Sequence, residues 1–324
     1  MSDKSRRRFI GSALAAVATL AAASFISGCA PAAGGNRAPL RVGLLPILEA
    51  LPLWVAAEKG LFAKRNLAVE LALFPSALER DAALQAGQLD VILNDLVSAA
   101  LLNKDGDRVR VVRVAFKTYA ALPMVSIVAG PGARVQSAAD LRGQTLAISA
   151  NTVIEYVVDR LLERADVGPG DVQKTEVTKL PVRVEMVTKD QVAAAALPEP
   201  LATLAVLQGA RRVADDSAAG IGQSVLTART EAFKQRGDDV RALLAAFADG
   251  IAEIKAKPEE YRALFVEKAK VPDALKSTLP LPEFPPSVVP QAAEVADVLA
   301  WAKAKRLVSG DAKPESLIDG GFLK

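Results

Sequence analysis

The chain has no histidine and a single cysteine, Cys29, among its 324 residues. Histidine is the usual general acid or base at neutral pH and the most common metal ligand, so chemistry through it is excluded. A lone cysteine excludes a disulfide within the chain and gives no basis for a zinc or iron–sulfur site. A Ser–His–Asp set, a phosphate-binding loop and a metal-ligand cluster are also missing from the sequence. We therefore expect a protein that is not an enzyme, without catalytic residues, metal or cofactor.

A surplus of basic residues is also missing once the start of the chain is set aside. The whole chain has 40 Lys and Arg against 37 Asp and Glu. Residues 1–28 contain four of the basic residues and one of the acidic ones, which leaves 36 of each sign in the rest. Nucleic-acid binding requires clustered surplus Lys and Arg, so no nucleic-acid partner is expected.

The start of the chain has the order of an export signal. Three arginines, Arg6 to Arg8, precede an apolar run over 9–26 and the small residues Ser27 and Gly28. We interpret residues 1–28 as a signal that is removed after export. The alternative is a permanent membrane span, for which the run is at the short limit of ~17 to 25 residues. The stretch SRRRFI resembles a twin-arginine export signal, and the general export route stays open.

Cys29 follows this signal directly. The stretch ISGC, residues 26–29, resembles a bacterial lipobox, in which the cysteine is acylated on sulfur and becomes the first residue of the mature protein. We therefore predict lipidation at Cys29 and a flexible tether over 29–39, which is rich in Ala, Pro and Gly. The expected location is the periplasm or the outer face of the cytoplasmic membrane, with an acyl anchor in the membrane.

Apolar strands alternate with amphipathic helices from residue 40 onwards. The predicted elements are strands over 40–46, 67–74 and 89–95, a helix over 52–66, and a helix with N-cap Ser76 and a stop at Gly87. This alternation predicts an α/β fold with a largely parallel sheet.

A second copy of this plan begins about 104 residues further along the chain, with a strand and helix over 144–168 and a helix, strand and helix over 185–209. Two long segments, 109–130 and 211–228, are suited to carry the chain between the copies. We predict two similar α/β lobes joined by a hinge of two crossings: lobe I over 40–121 plus 222–324, and lobe II over 122–221.

The last part of the chain, residues 229–324, has helical periodicity with one interruption. The stretch LPLPEFPPSVVP, residues 279–290, contains five prolines, so it cannot form a helix and is expected to wrap over a surface.

Four stretches resemble a known family. They are RVGLLP with LPLWVAAEKGLFAKRNLAVEL, then ALQAGQLDVILND, DLRGQTLAIS and LPEPLATLA, within residues 41 to 210. In this order they resemble the solute-binding proteins of ABC importers for sulfonates, taurine, nitrate and thiamine-pyrimidine precursors. The resemblance implies a type II periplasmic-binding fold that closes on a small-molecule solute and delivers it to an ABC permease and its ATPase. We expect a monomer.

The same fold includes a pyrimidine synthase of thiamine biosynthesis and enzymes of the menaquinone pathway. That synthase depends on histidine, which this chain lacks.

One departure from the solute-binding family is Lys189-Asp190-Gln191, where its members usually have a Gly-x-Asp-Ala turn. We interpret it as a changed surface turn.

Ligands of open α/β sheets lie beyond the carboxyl ends of the strands, where loops lead into helices. Four such loops are present, over 46–51, 94–96, 149–152 and 198–200. The predicted ligand contacts are Leu45, Glu49, Asn94, Asp95, Asn151, Thr152, Glu155 and Glu199, with Tyr119 as a stacking ring near the first crossing.

These residues also have structural interpretations. Glu49 can also be a solvated charge in a first helical turn, where its negative charge interacts favourably with the helix dipole. Asp95, Asn151 and Thr152 fit the caps of the helices that follow them. The sequence leaves both interpretations open.

The charges of the loops indicate the solute. Carboxylates near an anion weaken its binding by repulsion and desolvation. No Arg, Lys or His lies in the four loops. The charged candidates are all acidic, namely Glu49, Asp95, Glu155 and Glu199. We therefore expect a neutral or amine-bearing solute such as an aminopyrimidine, with Lys117 as one positive charge near the hinge. The alternatives are a sulfonate- or nitrate-type anion, or a receptor module that presents its ligand to a membrane sensor.

Overall fold

A computed structural model describes residues 38–168, 170–308 and 313–323. The predicted export signal, Cys29 and nearly all of the predicted tether lie outside these residues. Among the described residues, no helix has both the length and the apolar character needed to cross a membrane.

Ten strands are present in the described part of the chain. They are β1 Leu40–Leu44, β2 Val69–Leu73, β3 Val91–Asp95, β4 Val109–Lys117, β5 Val125–Ala129, β6 Thr145–Ile148, β7 Gln173–Glu176, β8 Ala194–Pro198, β9 Arg211–Asp215 and β10 Gln223–Arg229. They form two five-stranded sheets, a first sheet in the order β2-β1-β3-β10-β4 and a second in the order β7-β6-β8-β5-β9.

The two sheets are built in the same way. In the first sheet β1 runs parallel to β2 and β3, and β10 lies antiparallel between β3 and β4. In the second sheet β6 runs parallel to β7 and β8, and β5 lies antiparallel between β8 and β9. The predicted fold class, two similar α/β sheets with helices, is confirmed.

The α-helices of the described residues connect and cover these strands. They are α1 Leu51–Glu58, α2 Ala77–Gln85, α3 Leu96–Leu102, α4 Val153–Arg164, α5 Leu180–Thr188, α6 Leu201–Leu207, α7 Thr230–Ala256, α8 Arg262–Lys268, α9 Ala292–Ala304 and α10 Pro314–Leu317. The predicted helical C-terminal part is confirmed by α7 to α10.

Local signals in the sequence predicted the start and end of some of these elements and missed others. The predicted N-cap is confirmed, since the main-chain N of Glu79 donates to Ser76 Oγ at 3.3 Å, and Gly87 ends the helix with φ 73°. The helix predicted over 52–66 was too long. It ends at Glu58, because Gly60 takes a left-handed φ of 63° that turns the chain out of the helix. Strand β7 was not predicted, because its sequence QKTE has no apolar side chain to mark it.

A close contact between α1 and α7 holds the largest apolar core. Helix α1 contributes Leu53 and α7 contributes Phe247, both fully buried. At Gly250 an added Cβ would lie 2.5 Å from the carbonyl oxygen of Pro52. The two helix backbones therefore touch at this point, and only glycine fits there.

A second apolar core includes residues from both sheets and from the C-terminal part. It contains Val97 of α3, Ile127 of β5, Val157 of α4 and Trp301 of α9. Helix α9 also makes polar contacts with α4. Tyr156 donates to Asp297 Oδ2 at 2.6 Å, and Trp301 Nε1 donates to Asp159 Oδ2 at 2.9 Å. Helix α9 therefore connects the helices of the two sheets.

The chain passes between the sheets in two short segments, 118–124 and 216–222. Asp216 lies in the second segment, is fully buried, and accepts hydrogen bonds from the main-chain nitrogens of Met124 and Val125 at 2.9 and 3.2 Å. The hydroxyl of Thr118 donates to the same oxygen at 3.2 Å. One carboxylate thus ties the two segments together. The predicted lobe boundaries, at 121/122 and 221/222, fall within these segments, and the division into lobes stays a prediction.

The proline-rich segment is neither helix nor strand, as predicted. It lies along the edge strand β4, where the main-chain N of Val114 donates to the carbonyl oxygen of Val288 at 2.8 Å. The guanidinium of Arg113 donates to the hydroxyl of Ser287. This segment covers an edge that would otherwise present free backbone groups.

We expect Gly250→Ala to lower the free energy of unfolding by about 2 kcal/mol, because the added methyl group pushes α7 away from α1. Gly237→Ala is the matched control in the same helix. An added Cβ at Gly237 lies 3.5 Å from Phe322, an ordinary contact. Urea unfolding followed by circular dichroism measures both variants. Equal stability of the two would show that the α1–α7 contact is not tight.

Candidate functional site

Two carboxyl groups lie together at the carboxyl ends of β1 and β3. Glu49 is on the short turn that follows β1 and is 7% exposed. Asp95 is the last residue of β3 and the N-cap of α3, and its Oδ1 accepts from the main-chain N of Ser98 at 2.9 Å. Sequence reasoning placed both residues at the site, and Asp95 also has the predicted capping role.

The pKa values of both carboxyl groups are raised. Burial raises the pKa of Glu49 from 4.5 to about 7, and the charge of Asp95 adds to this effect. Burial raises the pKa of Asp95 to about 6, opposed by the hydrogen bond from Ser98 and the charge of Arg80. Among the described residues neither carboxyl group forms an ion pair. This pair therefore favours a cation or hydrogen-bond donors as a partner.

Ser224 adds an unpaired hydroxyl beside this pair. It is 2% exposed and its Oγ has no hydrogen-bond partner among the described residues. In the pairing of β10 with β3 it lies directly opposite Asp95, so the two side chains are on the same face of the sheet. A buried hydroxyl without a partner is costly, so this position favours a bound polar group. Sequence reasoning missed Ser224, because strand pairing between distant segments cannot be seen in a local pattern.

The other first-sheet candidates are differently placed. The amide of Asn94 is used inside the protein, since its Nδ2 donates to Ser98 Oγ at 3.1 Å and its Oδ1 accepts from Thr227 at 2.6 Å. Leu45 is partly buried in the turn after β1. The hydroxyl of Tyr119 accepts from the main-chain N of Glu283 at 3.1 Å, in the proline-rich segment. Asn94 and Tyr119 therefore have structural partners, whereas Leu45 lies near Glu49 in the chain.

The second-sheet candidates surround the start of α4. Asn151 is exposed with a left-handed φ of 58°, and its main-chain N donates to Glu155 Oε2 at 2.7 Å. Thr152 is the N-cap residue, and its hydroxyl donates to the carbonyl oxygen of Ser149 at 2.8 Å. Glu155 is buried and forms ion pairs with Lys174 and Lys305. Burial alone would raise the pKa of Glu155, but the hydrogen bonds from Lys305 and Asn151 and the charge of Lys174 hold it below its usual value.

Glu199 forms an ion pair within the second sheet. Its Oε1 lies 2.6 Å from Arg212 Nη2, and its Oε2 accepts from the main-chain N of Thr203 at 3.2 Å. Its side chain is 3% exposed. Both oxygens therefore have partners, which is a structural role in addition to the predicted ligand contact.

These contacts change the charge balance that the loops suggested. No basic residue lies in the four loops, but cations from distant elements neutralise two of the four acids. Lys174 and Lys305 pair with Glu155, and Arg212 pairs with Glu199. Lys117 pairs with Glu294 and adds no free charge at the hinge. The acidic character of the site is therefore confined to Glu49 and Asp95.

Helices α3 and α4 meet between the two sheets. A cavity of about 10 Å³ remains between them, which is the space of a single water at most. It is lined by Leu96, Val97, Val153, Tyr156, Ile221, Gln223 and Val298. This space is too small for an organic solute. Among the described residues, no group of three acidic or cysteine side chains is arranged to hold a metal ion.

A protein-family model described as NMT1/THI5 like matches residues 48–261. The chain belongs to this family. No curated protein sequence matches it significantly.

Solved structures of similar fold include binding proteins and an enzyme. The periplasmic aliphatic sulphonate binding protein SsuA from Escherichia coli has a TM-score of 0.74 and 20% identity, over 87% of this chain and 92% of that chain. The alkanesulfonate-binding protein SsuA from Xanthomonas axonopodis pv. citri, bound to MOPS, has a TM-score of 0.73 and 18% identity, over 87% and 98%. The desulfurization enzyme DSZB has a TM-score of 0.66 and 15% identity, over 89% and 98%. At these identities the likeness shows the fold, and the predicted periplasmic-binding fold is confirmed.

We expect Glu199→Gln to lower the free energy of unfolding by about 2 kcal/mol, because the amide turns a donor towards Arg212 or Thr203 in a buried place. Glu185→Gln is the control, since its exposed pair with Lys189 lies on the surface of α5. Thermal or urea unfolding of both variants measures the difference. An unchanged stability with weakened solute binding would instead mean that Glu199 serves the ligand alone.

Proposed function

We propose that this chain is the extracytoplasmic solute-binding component of an ABC importer, and that its solute carries an amino group or another cationic nitrogen. It binds and delivers the solute without a chemical reaction. Family membership and the binding-protein fold support the general function. The carboxyl pair of Glu49 and Asp95 supports the nature of the solute.

The amino group of the solute lies between these two carboxyl groups. They are buried at the carboxyl ends of two parallel strands, which is where ligands of open α/β sheets bind. An incoming ammonium group supplies the missing positive charge and returns both groups to their ionised form. The hydroxyl of Ser224 is the third polar contact at this place. A sulfonate or nitrate ion without an amino group would be repelled here, although relatives of similar fold bind sulfonates.

Hinge closure is the binding step of this proposal. The open form admits the solute between the sheets, and contacts from both sides stabilise the closed form. The segments 118–124 and 216–222 carry the motion. The permease then recognises the closed surface.

The chain is also proposed to work at the membrane surface. Residues 1–28 direct export, and acylation of Cys29 anchors the mature protein. A single acyl chain holds a protein only marginally, so the two or three chains of a bacterial lipoprotein are needed. The tether over 29–39 keeps the binding unit near its permease.

We expect the affinity for an amine-bearing solute to rise between pH 5 and pH 8. The free protein holds protons on Glu49 and Asp95 up to about pH 7 and 6, and the bound ammonium group favours their ionised forms, so binding releases protons. Glu49→Gln should weaken binding about 10-fold or more at pH 8 and flatten this pH profile. Isothermal titration calorimetry in buffers of different ionisation enthalpy measures both effects.

The stability of the unliganded variant is the control. The pKa of Glu49 is higher in the folded protein than in the unfolded chain, so its charging destabilises the fold as the pH rises from 4.5 through 7. Glu49→Gln removes this term and should be more stable than the wild type at pH 8, by about 3 kcal/mol, and equally stable at pH 4. An affinity that is independent of pH and unchanged in the variant would contradict the proposed amine site.

We expect Cys29→Ser to release the protein from membranes or to leave its precursor unprocessed, because serine cannot carry the thioether-linked lipid. Solute binding should be unchanged, since the binding unit begins beyond the tether. Membrane fractionation and intact mass measure the outcome. A wild-type protein that stays in membranes with residues 1–28 uncleaved and without an acyl group on Cys29 would instead favour a permanent span by the apolar run.

A further inference from the structure

Arg183 is a buried cation at the carboxyl edge of the second sheet. Its side chain is fully buried. Its Nε donates to the carbonyl oxygen of Val177 at 3.0 Å, just after β7. Its Nη1 donates to the carbonyl oxygen of Ala196 in β8, and its Nη2 donates to the hydroxyl of Ser149, just after β6. One guanidinium therefore joins the three parallel strands, just beyond the ends of β6 and β7 and at the middle of β8.

No carboxylate neutralises Arg183 among the described residues. Its three hydrogen-bond acceptors are two carbonyl oxygens and one hydroxyl, all neutral. Burial lowers its pKa to about 10, so it stays charged at neutral pH. A buried charge without a counter-ion is strongly unfavourable. Neutral carbonyl and hydroxyl acceptors offset part of this unfavourable free energy. The remaining positive potential of Arg183 is available to an anion.

The first sheet contains a matching arginine that is neutralised. Arg80 is the fourth residue of α2 as Arg183 is the fourth residue of α5. Each helix has nine residues and follows an edge strand at the same position in its sheet, β2 or β7. Arg80 also donates to a strand carbonyl, that of Leu93 in β3, at 2.7 Å. The next residue in α2 is Asp81, which pairs with Arg80 at 2.7 Å, whereas the next residue in α5 is Val184. The two halves of the molecule thus differ by one charge at equivalent places.

The hydroxyl groups that accept from these two arginines differ in whether their own protons are used in a hydrogen bond. Ser98 accepts from Arg80 and donates to Asp81 Oδ2 at 2.7 Å, so its proton is used. Ser149 accepts from Arg183, is partly exposed, and donates to no acceptor among the described residues. A hydroxyl that accepts from a guanidinium is a stronger donor through its own proton.

We propose that Ser149, polarised by Arg183, binds an anionic oxygen of the solute, which makes the solute a zwitterion. This inference rests on the proposed function, because the cationic end of the solute lies at Glu49 and Asp95. The first sheet then supplies the negative half of the site and the second sheet the positive half. Each end of the solute binds one sheet, so a zwitterion stabilises the closed form more than an amine or an anion alone.

The test uses probes of matched length: 3-aminopropanesulfonate and 4-aminobutanoate as zwitterions, propylamine as the amine, and propanesulfonate as the anion. Calorimetry of the mature protein should show that each zwitterion binds at least about 10-fold more tightly than propylamine. The two zwitterions separate a sulfonate preference from a carboxylate preference. Mass spectrometry of the solute released from natively purified protein identifies it independently. We expect this solute to contain both an amino group and an acidic group.

Ser149→Ala removes the donor and keeps the buried arginine. It should weaken binding of the better zwitterion about 10-fold and change propylamine binding less than about twofold. Ser316→Ala, in α10, is the matched serine control and should change neither. A cooperative melting transition of each unliganded variant confirms that it folds, and the transition of Ser149→Ala is expected at a lower temperature because Arg183 loses one acceptor.

The outcomes separate this inference from the proposed function. If propylamine binds as tightly as the zwitterions, or Ser149→Ala affects all probes equally, Ser149 does not bind an anionic oxygen and the amine site stands. If propanesulfonate alone binds and Glu49→Gln has no effect, the amine site is wrong and the anion contact stands. If no probe binds and the released solute has neither group, both are wrong.

Discussion

The buried carboxylate of Asp216 sets how the two sheets are joined. One of its oxygens accepts three hydrogen bonds, two from the first connecting segment, at Thr118 and Met124, and one from Val125 at the start of β5. Burial raises its pKa to about 6, because an ionised group is poorly solvated there. Its other oxygen has no partner among the described residues and faces Gly222, where an added Cβ would be 2.0 Å away. The second segment is therefore held close against the first.

The charges of that region depend on contacts made across long stretches of sequence. The acids of the second sheet are neutralised by Lys174, Lys305 and Arg212, which reach them from a neighbouring strand, from the end of α9 and from the edge strand. The first sheet leaves Glu49 and Asp95 without such partners. The proposed solute chemistry thus follows from which acids remain unpaired, and not from how many acids the loops contain.

Comparison of the two halves of the molecule is more informative than either half alone. Helices α2 and α5 share their length, their position after a strand and a buried arginine that binds a strand carbonyl. They differ where Asp81 is replaced by Val184. A structural role explains a buried arginine in both halves. The missing counter-ion at Arg183 is the difference on which the proposed anion contact of Ser149 rests.

The sequence by itself determined the fold class, the crossings between two sheets and the local signals that begin and end several elements. Such features follow from periodicity, caps and turns within a short stretch of chain, as at Ser76 and Gly87. It also predicted Glu49 and Asp95 as ligand contacts, because Glu49 lies in the loop after one apolar strand and Asp95 ends another. Only the tertiary structure decided that Glu199 and Asn94 have internal partners, that Ser224 faces Asp95, and that Arg183 lies behind Ser149. Each of these contacts joins residues on different elements, and neither strand pairing nor charge neutralisation between elements leaves a local pattern.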